Sequence, residues 1–100
     1  MGFVEVCSVG DVPDGEGRTF TANGNEIAVF NVGGEFNIIS NVCAHKGGPL
    51  GEGILDGATV SCPWHQWKYD VTTGKSATSP NICVAKFNSK IENGKVFVEL

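Results

Sequence analysis

Short stretches in which apolar and polar residues alternate are divided by glycine- and asparagine-rich breaks along almost the whole chain. Residues 3–6 read as a first strand and 11–17 as a turn-rich link. Residues 18–21 form a short extended piece closed at Asn23-Gly24, a pair that favours a tight hairpin turn. Residues 26–32 and 35–39 read as two strands around Gly33-Gly34, which supplies the backbone freedom of a second hairpin. From 43 to 54, Gly47, Gly48, Gly51 and Gly53 with Pro49 predict an irregular loop. Beyond it, 58–61, 67–71, 83–88 and 95–99 read as strands, with breaks at Thr73-Gly74 and Asn93-Gly94. No stretch sustains a 3.6-residue period. The expected fold is all-β, an antiparallel β-sandwich or barrel-like base.

Composition fits a folded protein of one domain over 1–100, with 41% hydrophobic and 18% charged residues in 100. No apolar run approaches the length that spans a bilayer, and the opening, Met1 to Val6, lacks the pattern of a secretory signal. A cytoplasmic location and no membrane partner are therefore expected. Seven basic residues stand against 11 acidic, a net charge of −4. Such a balance argues against a nucleic-acid partner, whose phosphates reward clustered lysine and arginine. It suits a protein partner with a basic face.

Four cysteines in so short a chain raise the possibility of a disulfide scaffold, but their surroundings point elsewhere. Cys43 and Cys62 each have a histidine close behind, and both histidines of the chain are used in this way. The pattern is Cys43-x-His45, sixteen intervening residues, then Cys62-x-x-His65. Two chelating pairs on separate loops pinch one inorganic centre. Thiolate with imidazole restricts it to zinc, copper or an iron–sulfur cluster. The loop glycines turn the backbone tightly and leave N–H groups clear to face sulfur acceptors, which a cluster needs more than a lone zinc does. Gly48-Pro49 and Cys62-Pro63 restrict the chain beside the ligands.

The segments Cys43-Ala44-His45-Lys46-Gly47-Gly48-Pro49-Leu50 and Cys62-Pro63-Trp64-His65-Gln66-Trp67-Lys68-Tyr69-Asp70 resemble the paired signature of Rieske iron–sulfur proteins. Within that family the chain is similar to the small ferredoxins of bacterial ring-hydroxylating dioxygenases, and the likeness covers essentially all of it. The resemblance implies a Rieske fold with a small cluster-binding subdomain at about 41–71, formed by two glycine-rich loops. It implies one [2Fe–2S] cluster, with Cys43 and Cys62 on an inner iron and His45 and His65 on an outer, solvent-facing one. The implied role is a one-electron carrier, itself no enzyme. It would run from a flavin-containing ferredoxin reductase to a terminal aromatic-ring dioxygenase that has its own Rieske centre. Two neutral imidazoles in place of two thiolates make the oxidised cluster formally neutral, which eases reduction.

Departures from the family pattern refine this. Respiratory relatives brace the two loops with a disulfide, and Gly48 and Trp64 occupy the matching positions. They also place a serine hydroxyl near a bridging sulfide, where this chain has Trp67. A potential at the low end of the Rieske range, roughly −150 mV, is expected. Tyr69 matches a tyrosine that bonds a cysteine sulfur in those forms; core packing is its other reading. Gln66 stands where glycine is usual. Gly48, Pro49, Trp64 and Gln66 are expected to form a collar at the domain tip, beside Gly47 and with Lys46 and Lys68 at the rim. Trp67 is expected to pack, and Trp64 to meet a partner. Cys7 and Cys83 read as small buried residues, Ser79-Pro80 as either a third covering loop or an ordinary connection, and Lys86, Lys90 and Lys95 as a solvated face. Two rival readings stand beside the carrier. One is a small Rieske-like subunit of an assimilatory nitrite reductase; the other is a zinc-stabilised binding module.

Overall fold

The computed structural model describes residues 2–42, 49–63, 67–77 and 82–99. Their regular structure is ten strands and two single 3-10 turns, Val9–Asp11 and Leu50–Glu52. The strands are β1 (Phe3–Ser8), β2 (Gly17–Ala22), β3 (Asn25–Val32), β4 (Glu35–Ser40) and β5 (Ile54–Asp56). They continue with β6 (Thr59–Ser61), β7 (Lys68–Asp70), β8 (Lys86–Phe87), β9 (Ser89–Glu92) and β10 (Lys95–Glu99). They form three antiparallel sheets, ordered β1-β10-β9, β2-β3-β4-β8 and β5-β6-β7. Among the described residues, no helix is long and apolar enough to cross a membrane.

The middle sheet is covered on both faces, and period-two alternation assigns each side chain to one cover. Ala28 and Phe30 on β3 and Ile39 on β4 join Leu50, Val60, Cys62, Tyr69, Val71 and Val84 in a core toward the β5-β6-β7 sheet. Their neighbours Ile27, Val29 and Ile38 join Cys7, Val12, Ala22, Val96 and Val98 on the opposite face. Burial on both sides is why residues 27–30 read as an unbroken apolar run. The predicted Asn-Gly hairpins form as two-residue loops. Asn23 and Gly24 have φ of 49° and 79°, and Asn93 and Gly94 have 52° and 75°, both residues left-handed as a type I′ turn requires.

Three expectations are corrected. The run 83–88 is a strand only at Lys86–Phe87, and the hairpin partner of β10 is the unforeseen β9, Ser89–Glu92. The segment 43–54 is not a loop throughout, because Leu50–Glu52 is a 3-10 turn and β5 begins at Ile54. Cys83 is exposed rather than buried, since alternation gives the inward place to Val84. The three lysines face solvent, yet each has a partner. Lys90 Nζ lies 4.7 Å over the Phe3 ring and 3.2 Å from the Glu92 carboxylate. Lys95 donates to Ser8 Oγ at 3.0 Å and Lys86 to Asn37 Oδ1 at 3.4 Å.

Cys7 is buried as expected, at 7% exposure. Burial, with repulsion from the Asp11 carboxylate added, pushes its thiol up to about 11. The native state thus favours the neutral thiol more than the unfolded chain does. That stability is fully present below the ordinary thiol value near 9.0 and is lost as pH rises to about 11. Its size is at most about 2–3 kcal/mol. Urea unfolding at pH values across this window is expected to show the decline, and Cys7→Ala to flatten it. Equal slopes in the two proteins would contradict the assignment.

Candidate metal centre

Three described stretches anchor the chain, as feet, on either side of 43–48, 64–66 and 78–81. The first foot is at the end of β4, where Asn41 is buried at 2% exposure and Val42 bridges Pro49. The Leu50 N–H donates to the Asn41 carbonyl at 2.8 Å, and the Gly51 N–H to Asn41 Oδ1 at 2.7 Å. A second foot follows β6. There the Cys62 N–H donates to the Trp67 carbonyl at 2.7 Å, one residue before β7. A third lies beside β7, where the Ala77 N–H donates to the Lys68 carbonyl and the Ser76 N–H to the Ile82 carbonyl, each at 2.8 Å. The register pairs Ile54 with Ser61 and Ser61 with Lys68, which places all three feet at one end of the small sheet.

Of the four predicted ligands, Cys62 lies within the described residues, while Cys43, His45 and His65 lie outside them. Lys46, Gly47, Gly48, Trp64, Gln66, Ser79 and Pro80 also lie outside. Cys62 is 1% exposed and belongs to the core beside Tyr69, Leu50 and Val60. An apolar seat of this kind limits solvent access to a metal bound at the sulfur. Trp67 packs against the same core, as expected, and Tyr69 is fully buried in it. Pro49 precedes the 3-10 turn and Lys68 is exposed at the start of β7.

Two of the loop glycines act differently from expectation. The Gly51 and Gly53 N–H groups are taken up locally, by Asn41 Oδ1 and by the Leu50 carbonyl at 3.0 Å. What these positions require is the absence of a side chain. A Cβ at Gly51 would collide with Thr19 Oγ1 and lie 2.9 Å from the Thr19 nitrogen. A Cβ at Gly53 would collide with the Ser61 carbonyl. The backbone therefore passes close to β2 on one side and β6 on the other, which locks the base of the first loop. Because backbone cannot retreat as a side chain can, Gly53→Ala is expected to destabilise the chain by about 1–3 kcal/mol. Thermal unfolding of the holoprotein checks this, and an unchanged midpoint would contradict the close approach.

Asn41 escaped the sequence reading altogether. Its signal was an asparagine at a strand end two residues before a cysteine, a residue type whose side chain bonds nearby backbone. Nothing in the apolar–polar pattern marks it.

The described part of the site fits an iron–sulfur cluster: one buried cysteine at a loop foot, with the other Cys/His pair in the sequence directly after the Asn41 foot. The comparisons agree. The family model for the Rieske [2Fe-2S] domain matches residues 2–88. The 3-phenylpropionate/cinnamic acid dioxygenase ferredoxin subunit of Shigella flexneri serotype 5b is 38% identical, covering 100% of this chain and 95% of its own length. The ferredoxin component of the naphthalene 1,2-dioxygenase/salicylate 5-hydroxylase systems of Ralstonia sp. is 32% identical over 98% of this chain and 95% of its own. Among solved structures, the Sphingomonas yanoikuyae B1 ferredoxin superposes with a TM-score of 0.91 at 31% identity, covering 99% of both chains. The chain belongs to the Rieske [2Fe-2S] domain family, and within it to the ferredoxins of aromatic-ring-hydroxylating dioxygenase systems.

Proposed function

We propose that this chain carries single electrons from a flavin-containing reductase to a terminal oxygenase with its own Rieske centre, in the cytoplasm. The observation that carries the reading is the near end-to-end likeness to ferredoxin components of such systems, at 32–38% identity. Cys43 and Cys62 are assigned as thiolate ligands to one iron, and His45 and His65 as imidazole ligands to the other, within the segment 41–71. The cluster supplies a one-electron couple when bound. The chain's own contribution is to hold that couple in a stiff mount. Short hydrogen bonds at the loop feet and the glycine-tight base leave little backbone free to move when the charge changes. Gly48, Pro49, Trp64 and Gln66 form the collar that a partner meets, beside Gly47 and with Lys46 and Lys68 at its rim. A brief encounter suits a small contact of this kind.

Reconstitution tests this. With a dioxygenase reductase and its terminal oxygenase, addition of the chain is expected to restore product formation and its omission to stop it. A reduced chain that no such oxygenase reoxidises, but that co-purifies with a large flavin- and haem-bearing reductase, would return the reading to the nitrite reductase subunit.

A further inference from the structure

We propose that Asn41 is the positioning residue for the first ligand loop and that its side-chain oxygen sets how firmly the chain holds its cluster; this rests on the ligand assignment above. Asn41 joins three parts of the fold, β2, β3 and the turn at Leu50–Glu52, through one side chain and its own backbone. Its Oδ1 accepts from Thr19 Oγ1 on β2 at 3.0 Å and from the Gly51 N–H at 2.7 Å, filling both lone pairs of the amide oxygen. Its Nδ2 donates to Glu26 Oε1 on β3 at 3.5 Å, and its own N–H donates to the Glu26 carbonyl at 3.1 Å. Its carbonyl accepts from Leu50 at 2.8 Å. One residue therefore grips the chain where it leaves toward Cys43 and again where it returns at Leu50 and Gly51.

Closing a ligand loop at a single buried residue fixes the spacing of its ends. A ligand loop whose base opens presents its donors with greater spread, and retention of the bound group falls accordingly. The oxygen is the agent. Leucine at this position would keep the branched shape with somewhat more bulk, but leave the buried Gly51 N–H and the Thr19 hydroxyl without their acceptor, an uncompensated loss. Aspartate would keep both acceptor bonds but set a second carboxylate against that of Glu26, so the partner is exchanged with it: Glu26→Gln returns an N–H donor to the contact.

Iron release to a chelator from the holoprotein, followed well below the unfolding temperature of every variant, separates positioning from stability. Val98→Ala, in the opposite core, serves as a variant of lowered stability that leaves the loop base alone. Asn41→Leu is expected to release iron about tenfold faster than the wild type and than Val98→Ala, with a shifted visible circular dichroism spectrum. The exchanged pair, Asn41→Asp with Glu26→Gln, is expected to stay within about threefold of the wild type. Should Asn41→Leu not fold, Thr19→Val is expected to show a smaller rise of the same sign. Wild-type release from Asn41→Leu, or from Thr19→Val if it must stand in, would overturn the inference. So would the exchanged pair behaving like leucine. A wild-type chain that binds no iron, or a Cys43→Ser variant that keeps its full complement, would instead defeat the ligand assignment on which the inference rests.

Discussion

Cys62→Ser is expected to yield a folded but colourless chain that binds neither iron nor sulfide and supports no electron transfer. The reasoning starts from where Cys62 sits. It is 1% exposed and packed with Leu50, Val60 and Tyr69, while its N–H is held by the Trp67 carbonyl at 2.7 Å. The thiolate is a soft, readily deprotonated donor, whereas an alcohol at neutral pH is neither. Serine nearly matches cysteine in size, so the backbone bond and the β6–β7 pairing persist. The fold should survive in its β content but melt earlier, because a group that binds only the native state stabilises it by mass action. Iron and labile-sulfide analysis alongside far-ultraviolet circular dichroism checks both halves. A serine variant that keeps a full cluster would remove Cys62 from the ligand set.

Phe30→Ala is expected to lower stability by about 3–5 kcal/mol, the usual range for deleting a fully buried aromatic ring. Phe30 is wholly buried on the face of β3 that meets Leu50, Cys62 and Tyr69. The neighbouring chain has no spare atoms to close the gap: Gly17 lies against the ring so tightly that a Cβ there would be 2.5 Å from it. A loss of this size is a large part of the roughly 5–15 kcal/mol that holds a small domain folded. Because the cavity opens under the small sheet, cluster loss should accompany unfolding at lower denaturant than in the wild type. Denaturant unfolding read by visible absorbance and by far-ultraviolet circular dichroism measures both. A shift below about 1 kcal/mol would show that the two sheets do not depend on this ring.

These two residues also show how unevenly the sequence discloses its structure. Cys62 is visible because its chemistry is spelled out locally, by a histidine three places on and a matching pair upstream. The hairpins at Asn23-Gly24 and Asn93-Gly94 are visible for the same reason, since the turn type demands residues that tolerate left-handed backbone. Strand β5 is hidden because it directly follows a glycine-rich stretch and its first residue, Ile54, is apolar yet 73% exposed. Strand β9, Ser-Lys-Ile-Glu, is polar at three of its four positions and finds its place by pairing with β10. Asn41, Gly51 and Gly53 are hidden for a deeper reason. Their roles depend on which strands pass nearby, a property of the assembled fold. Glycines that read as donors to a cluster turn out to be clearances for neighbouring backbone.

Electron paramagnetic resonance of the dithionite-reduced chain, with nitrogen couplings resolved by double resonance and iron and sulfide counted on the same sample, tests the central assignment most directly. The expected result is a [2Fe–2S] signal with couplings from two histidine nitrogens, both lost in Cys62→Ser. A silent sample holding tightly bound zinc and no acid-labile sulfide would contradict the account.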